Sequence, residues 1–219
     1  MTQIVIDTTT NSMIQVNEVF DNDLLNLCVA NKYNTDKYYT GRTQLIYPSS
    51  PNFFGHVYIE EVYGKYFKSR KDTATNILEI GIDNGGSVLL WQDYFPNATI
   101  HGADIRHCSA VDNQPRIKQY TMDAYANANK FEDGFFDIMI DDGPHTLESM
   151  VLFIKNYSSK LKPGGVMVIE DIPELEWKDT LFSALPQDLL PYAKVHDMRS
   201  LKNNFDDIVF VVDTGEVNG

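Results

Sequence analysis

The sequence contains few cysteines and no long apolar run. Cys28 and Cys108 stand far apart, so they suggest neither a disulfide framework nor a thiolate metal motif. No stretch reaches the length of a membrane-spanning helix, and the first residues lack the basic-then-apolar order of a signal peptide. We therefore expect a cytoplasmic protein with no membrane partner.

Basic residues are also scarce. Lys and Arg together number 18 against 31 Asp and Glu, which gives a formal charge of −13. Proteins that bind nucleic acid neutralise phosphates with lysine and arginine, so this balance argues against a nucleic-acid partner. The remaining composition, with 43% hydrophobic residues, is that of an ordinary globular protein whose length suits one domain with a substantial core.

Short apolar runs alternate with segments of helical periodicity along most of the chain. Seven runs predict strands, at 76–80, 98–103, 117–120, 136–140, 166–169, 193–196 and 208–212. Strands separated by helices predict an α/β fold, a doubly wound and mainly parallel sheet with helices on both faces. We assign residues 71–219 to this domain.

Residues 1–70 are predicted to form a shorter N-terminal extension of arm, helices and a candidate lid. Residues 1–14 are rich in Thr, Ser and Asn and predict a poorly ordered arm. A helix is expected from Asn22, with Asp21 or Asn22 as its N-cap, and an amphipathic helix from Ile59 to about Lys68. The aperiodic, tyrosine-rich segment 33–58 is the candidate lid.

A glycine turn follows the first predicted strand of the sheet. The segment Gly81–Ser87 reads Gly-Ile-Asp-Asn-Gly-Gly-Ser, and the next strand ends at Asp104. Glycines allow the backbone to approach a nucleotide-like ligand, and an acid in the position of Asp104 can accept hydrogen bonds from ribose hydroxyls. The G-x-x-x-G-G spacing differs from that of dinucleotide-binding turns and favours a ligand without a pyrophosphate.

Two later strands each end in a pair of acids, Asp141-Asp142 and Glu170-Asp171. If these strands are parallel neighbours, they lie about 5 Å apart and their carboxylates converge. Several carboxylates cannot all stay ionised at close range without a cation, and oxygen ligands favour Mg²⁺, with Ca²⁺ or Mn²⁺ as alternatives. The competing interpretation is that these acids cap helices or pair with lysines.

A Gly-Pro turn and a histidine follow the first acid pair. His145 stands where it can take a proton from a hydroxyl held at the acids, and imidazole titrates near neutral pH. We interpret the other four histidines as structural or exposed. His56 is the exception to watch, because it opens a helix directly after the long aperiodic segment.

Together these segments resemble a known family. Glu79-Ile80-Gly81 with Gly85-Gly86-Ser87, Asp104 and Leu161–Gly165 are similar to the signature of class I S-adenosylmethionine methyltransferases. Asp141–His145, Glu170-Asp171 and the upstream Asn34-Thr35-Asp36-Lys37 resemble the metal-dependent sugar O-methyltransferases of the macrocin and mycinamicin type. Pro144 stands where that family more often has Ser, and Asn34 where it more often has Gly.

The resemblance implies a seven-stranded sheet with an antiparallel last strand, and an enzyme that methylates a hydroxyl of a sugar or glycosylated small molecule. It implies that Mg²⁺ is bound by Asp142, Glu170 and Asp171, and that His145 is the general base. The residues that it implies for S-adenosylmethionine binding are Glu79, Gly81, Gly85, Ser87, Asp104, Asp123 and Asp141. A homo-oligomer is possible. The alternatives are a nicotinamide-dependent oxidoreductase and a non-catalytic binding protein on the same fold.

Overall fold

A computed structural model describes residues 3–7, 12–16, 22–31, 33–38, 55–202 and 204–215. Strands Gln3–Asp7 (β1) and Ser12–Val16 (β2) form an antiparallel pair of their own. Seven further strands form one sheet, and they are Asn76–Ile80 (β3), Thr99–Asp104 (β4), Ile117–Thr121 (β5), Phe136–Asp141 (β6), Leu161–Ile169 (β7), Ala193–Asp197 (β8) and Ile208–Asp213 (β9).

The sheet has the order β5-β4-β3-β6-β7-β9-β8. Strands β3 to β7 pair in parallel, whereas β9 runs antiparallel to both of its neighbours. The order reverses direction between β3 and β6, which is the switch point where ligands bind in open α/β sheets. The predicted seven-stranded, mainly parallel sheet with an antiparallel last strand is thus confirmed.

Helices cover both faces of the sheet. They are Asp23–Asn31 (α1), Gly64–Phe67 (α2), Gly86–Tyr94 (α3), Leu147–Tyr157 (α4), Trp177–Ala184 (α5) and Arg199–Lys202 (α6). Alternate strand residues point to opposite faces, as the pleat requires. Ile77 and Ile138 therefore enter a core with α1, α2 and α3, while Leu78 and Met139 enter a second core with α4 and α5.

The N-terminal helices belong to the first of these cores. Asn22 caps α1, since its side chain accepts a hydrogen bond from the Leu25 N–H at 3.1 Å. The predicted helix at 59–68 is a π-helical turn over Ile59–Tyr63, followed by α2 and a 3₁₀ turn at Lys68–Arg70. The domain boundary predicted at 70/71 falls at the end of this turn and stays a prediction.

Two segments differ from expectation. The N-terminal arm of residues 1–14, predicted to be poorly ordered, contains β1 and the first three residues of β2. Strand β7 begins at Leu161, five residues before the predicted start, because Leu161 already pairs with Phe136. Val166 then pairs with Ile138, so the intervening Lys162–Gly165 segment is accommodated as an irregularity within the strand and not as a break before it.

No helix among the described residues is long and apolar enough to cross a membrane. Of the candidate lid at 33–58, the structure describes 33–38 and 55–58, and the remainder of that prediction lies outside the described residues.

Candidate active site

The glycine turn between β3 and α3 forms one wall of a cavity of about 600 Å³ at the carboxyl ends of the strands. Gly81 has φ of +84°, and a Cβ there would lie 1.8 Å from the carbonyl oxygen of Asp142. A side chain at this position would therefore clash with the backbone that follows β6. Gly85, with φ of +80°, occupies the N-cap of α3 in a left-handed conformation.

Four of the seven residues predicted to bind the cofactor line this cavity, namely Gly81, Ser87, Asp104 and Asp123. Asp104 also stabilises the turn, because its Oδ2 accepts from the N–H of Ile82 at 3.1 Å and its Oδ1 from that of Arg106 at 2.8 Å. Asp123 similarly accepts from the Tyr125 N–H at 3.0 Å. Both acids thus sit in rigid surroundings with lone pairs left for a ligand.

The other three predicted cofactor residues, Glu79, Gly85 and Asp141, are not among the residues that line the cavity. Glu79 is fully buried behind the turn, where its Oε2 accepts from Trp91 Nε1 at 2.9 Å. Asp141 is also buried, and its Oδ1 accepts from the Tyr125 hydroxyl at 2.5 Å. Glu79 and Asp141 therefore lie behind the cavity and hold the side chains of Trp91 and Tyr125 in place.

The two acid pairs converge, because β6 and β7 are parallel neighbours with Asp141 paired to Ile169. One atom of each of Asp142, His145 and Asp171 could ligate a metal ion, and these three atoms all lie within 4.8 Å of one another. His145 Nε2 is 3.8 Å from Asp142 Oδ1 and 3.6 Å from Asp171 Oδ2. His145 and Asp171 have φ of +53° and +51°, a left-handed backbone that is costly outside glycine and is often found at functional sites.

Glu170, the third predicted metal ligand, is not a member of this cluster. One of its carboxylate oxygens accepts from the Tyr63 hydroxyl and the other from the ammonium of Lys37. The same ammonium lies 2.5 Å from Asp142 Oδ2 and 3.4 Å from Glu79 Oε1. Lys37 therefore joins the ends of three adjacent strands and is itself 1% exposed.

The acids at this edge outnumber the Lys37 ammonium, and burial raises the pKa of three of them. Burial is the largest cause that raises the pKa of Asp142 well above its ordinary value, with Lys37 opposing and the neighbouring carboxylates adding to the shift. Burial likewise raises the pKa of Glu170 and of Asp141 to about 7. An additional positive charge at this edge would stabilise the ionised carboxylates.

His56, the histidine singled out in the sequence, lies on the far side of Asp171 from His145. Its Nδ1 is 2.5 Å from Asp207 Oδ1, and its Nε2 is 3.6 Å from Asp171 Oδ1. Burial lowers the pKa of His56, but the bond to Asp207 and the surrounding carboxylates outweigh it and raise the pKa to about 9.

Sequence reasoning from local patterns missed the roles of Lys37, Tyr58, Tyr63 and Asp207. Lys37 is separated from Asp142 by 105 residues and from Glu170 by 133, so no local pattern reports the contact. The only signal was the similarity of Asn34–Lys37 to the sugar O-methyltransferase motif.

Comparison with known proteins supports this picture. Residues 73–172 match a family described as a methyltransferase domain. The chain is 32% identical over 139 residues to the mycinamicin VI 2''-O-methyltransferase of Micromonospora griseorubida, covering 58% of this chain and 34% of that protein. It is 32% identical over 126 residues to the demethylmacrocin O-methyltransferase of Streptomyces fradiae, covering 52% and 32%.

Among solved structures, the MycE methyltransferase of the mycinamycin biosynthetic pathway, in complex with Mg and SAH, superposes with a TM-score of 0.60 at 22% identity. The match covers 90% of this chain and 55% of that one. The matched part of the chain spans about a third of the length of the curated relatives. The sheet order, the glycine turn and these matches together show that the chain has the class I methyltransferase fold and resembles the macrocin- and mycinamicin-type sugar O-methyltransferases.

Proposed function

We propose that this protein is an S-adenosylmethionine- and Mg²⁺-dependent O-methyltransferase. Its acceptor is a hydroxyl of a small molecule, and the finer proposal is a sugar or a glycosylated compound, because the similar proteins include an L-olivosyl-oleandolide 3-O-methyltransferase of Streptomyces antibioticus, 32% identical over 136 residues. The observation that carries the proposal is that the glycine turn, Asp104 and the cluster of Asp142, His145 and Asp171 line one continuous cavity. A methyl donor and a hydroxyl acceptor bound in that cavity would be adjacent.

The donor set fits a hard cation. Asp142 and Asp171 offer carboxylate oxygens within 4.8 Å of each other, at a partly buried edge whose acids exceed its lysine in charge. These two residues would hold Mg²⁺, and Glu170 would join them only by sharing its carboxylate with Lys37. When bound, the metal supplies positive charge that lowers the pKa of a nearby hydroxyl.

The chain's own groups then have distinct tasks. Gly81 lets the turn pack closely against the backbone that follows β6, and Asp104 lines the cavity where ribose hydroxyls can be bound. His145 Nε2 faces the acids from a side chain that is 35% exposed, so it can accept the acceptor's proton and pass it to solvent. S-Adenosylmethionine supplies the methyl group.

The first test is ligand preference. Calorimetric titration should show S-adenosylhomocysteine binding about 10-fold or more tightly than NAD, since the cavity's turn has the G-x-x-x-G-G spacing. Preferential binding of NAD would favour the oxidoreductase alternative.

The second test is turnover with a labelled methyl donor and a panel of deoxysugar glycosides. Transfer should stop with EDTA and return with Mg²⁺. Full transfer in excess chelator contradicts the metal assignment. Tight cofactor binding without transfer to any glycoside in the panel contradicts the sugar assignment, and the absence of transfer to every hydroxyl acceptor favours the binding-protein alternative.

A further inference from the structure

The two carboxylate oxygens of Asp171 face different surroundings. Oδ2 lies 3.6 Å from His145 Nε2, on the cavity side. Oδ1 accepts a hydrogen bond from the Tyr58 hydroxyl and lies 3.6 Å from His56 Nε2. One oxygen is therefore fixed by a donor behind the site, and the other is presented toward the cluster.

Tyr58 is itself held firmly. It is 1% exposed, and its ring stacks on His56 with centroids 4.5 Å apart and planes inclined by 17°. His56 is in turn bonded through Nδ1 to Asp207, which is fully buried. A tyrosine hydroxyl carries its proton at neutral pH and can donate it to a carboxylate.

A purely structural role for Tyr58 is the competing interpretation. Its hydroxyl also lies 3.3 Å from the carbonyl oxygen of Asp206, in the loop before β9. A phenol has one hydrogen to donate, and a charged carboxylate at the shorter distance is the stronger acceptor. The hydrogen therefore goes to Asp171, while the carbonyl of Asp206 receives a weaker contact.

We propose that Tyr58, backed by the stacked His56 and its partner Asp207, is a positioning residue that fixes Asp171 Oδ1 so that Oδ2 faces the metal site. The inference rests on the proposed function, in which Asp171 holds Mg²⁺. Donors behind a ligating carboxylate orient it, and their loss typically weakens metal binding. Tyr58 precedes residues 73–172, so the match to the methyltransferase domain does not include it.

The test is Mg²⁺ binding to Tyr58→Phe, which removes one oxygen atom and keeps the ring. Calorimetry should show Mg²⁺ affinity weakened about 10- to 100-fold, with the affinity for S-adenosylhomocysteine unchanged. Tyr66→Phe is the matched control, because Tyr66 is also 1% exposed and its hydroxyl lies 2.9 Å from His196 Nε2. This control should bind Mg²⁺ as the wild type does.

A spectroscopic readout separates positioning from folding. With Mn²⁺ in place of Mg²⁺, the electron paramagnetic resonance spectrum of the bound ion should change in Tyr58→Phe and remain unchanged in Tyr66→Phe. If Tyr58→Phe does not fold, His56→Asn supplies the second variant. It keeps an amide N–H for Asp207 but removes the ring behind Tyr58, and it should shift Mg²⁺ affinity in the same direction.

The outcomes distinguish this inference from the proposed function. If the wild type transfers methyl groups and binds Mg²⁺, and Tyr58→Phe binds Mg²⁺ with the same affinity, the role proposed for Tyr58 is wrong. The proposed function would then still stand. A wild-type protein that binds S-adenosylhomocysteine but no Mg²⁺ would overturn both this inference and the metal assignment.

Discussion

Asp137 lies near the amino end of strand β6 and Asp142 directly follows its carboxyl end, and their carboxylates have different partners. At the amino end, Asp137 Oδ2 accepts from the N–H of Thr75 at 2.8 Å, the N–H of Asn76 at 2.9 Å and Lys162 Nζ at 2.9 Å. At the carboxyl end, Asp142 shares a single buried ammonium, that of Lys37, with Glu170 and Glu79.

The pKa values record the contrast. Burial opposes ionisation of Asp137, but the bonds from Lys162 and the backbone N–H groups outweigh it and lower its pKa. For Asp142 the balance goes the other way, and its pKa is raised. A carboxylate that serves the fold is fully satisfied, whereas acids gathered for chemistry are left with a deficit of positive charge that a metal ion can supply.

The largest predicted effect is on turnover, and it tests the proposed base, His145. His145→Ala should lower turnover about 10²- to 10⁴-fold, the usual contribution of a positioned acid–base group. Because the side chain is 35% exposed, the affinity for S-adenosylhomocysteine and the unfolding midpoint should hardly change. Turnover on a glycoside acceptor, calorimetry and thermal unfolding measure the three quantities.

Asp137→Asn is the control from the opposite end of the strand. It should leave turnover per folded molecule unchanged, because the Asp137 carboxylate bonds to Thr75, Asn76 and Lys162 at the end of the strand opposite the cavity. Near-normal turnover in His145→Ala would assign His145 a structural role, and the carboxyl end would then need a different base.

The next largest effect concerns stability. Lys37→Met should destabilise the fold by about 3–5 kcal/mol, because it leaves buried carboxylates without their cation. Lys162→Met should cost only about 0.2–1 kcal/mol, since the Lys162 side chain is 29% exposed and its partner keeps its backbone donors. Urea unfolding of both variants at pH 7 makes the comparison.

A double variant tests whether charge is the cause. Lys37→Met combined with Glu170→Gln removes one buried cation together with one buried anion, and it should recover part of the lost stability. Equal destabilisation of Lys37→Met and Lys162→Met, or a double variant no more stable than Lys37→Met, would mean that the carboxyl end of β6 has no deficit of positive charge relative to the amino end.

The sequence predicted the sheet well because its signals are local. Apolar runs bounded by glycine, proline or acids located all seven strands, and two strands ending in acid pairs predicted the convergence of Asp142 and Asp171. Strand β7 was predicted too short because Lys162–Gly165, which follow its first residue, have the composition of a turn although they lie within the strand.

The rest depends on contacts between distant segments. The bond between Glu170 and Lys37 depends on how residues 33–38 pack across the sheet, and no strand pattern contains that information. The same holds for Tyr58, which reaches Asp171 across 113 positions. Strand positions place acids at an edge, but the orientation of each carboxylate follows from its tertiary partners.

The smallest predicted effect concerns a titratable group that is buried in its neutral form. His101 in β4 is 2% exposed, and its ring nitrogens lie 2.9 Å from the Tyr120 hydroxyl and 3.3 Å from Asn76 Oδ1. Burial, with a smaller contribution from Lys118, lowers its pKa to about 4, below the ordinary value of 6.5.

Because the folded state holds His101 neutral and the unfolded chain does not, this residue stabilises the fold above pH 6.5. That contribution is lost as the pH falls from 6.5 toward 4, by at most about 1.4 kcal/mol per pH unit. His101→Asn should lower stability at pH 7 through lost packing, yet show a shallower decline between pH 6.5 and 4.5 in urea unfolding. Parallel slopes in the wild type and His101→Asn would mean that His101 is protonated in the folded state, and that this half of the sheet also tolerates buried charge.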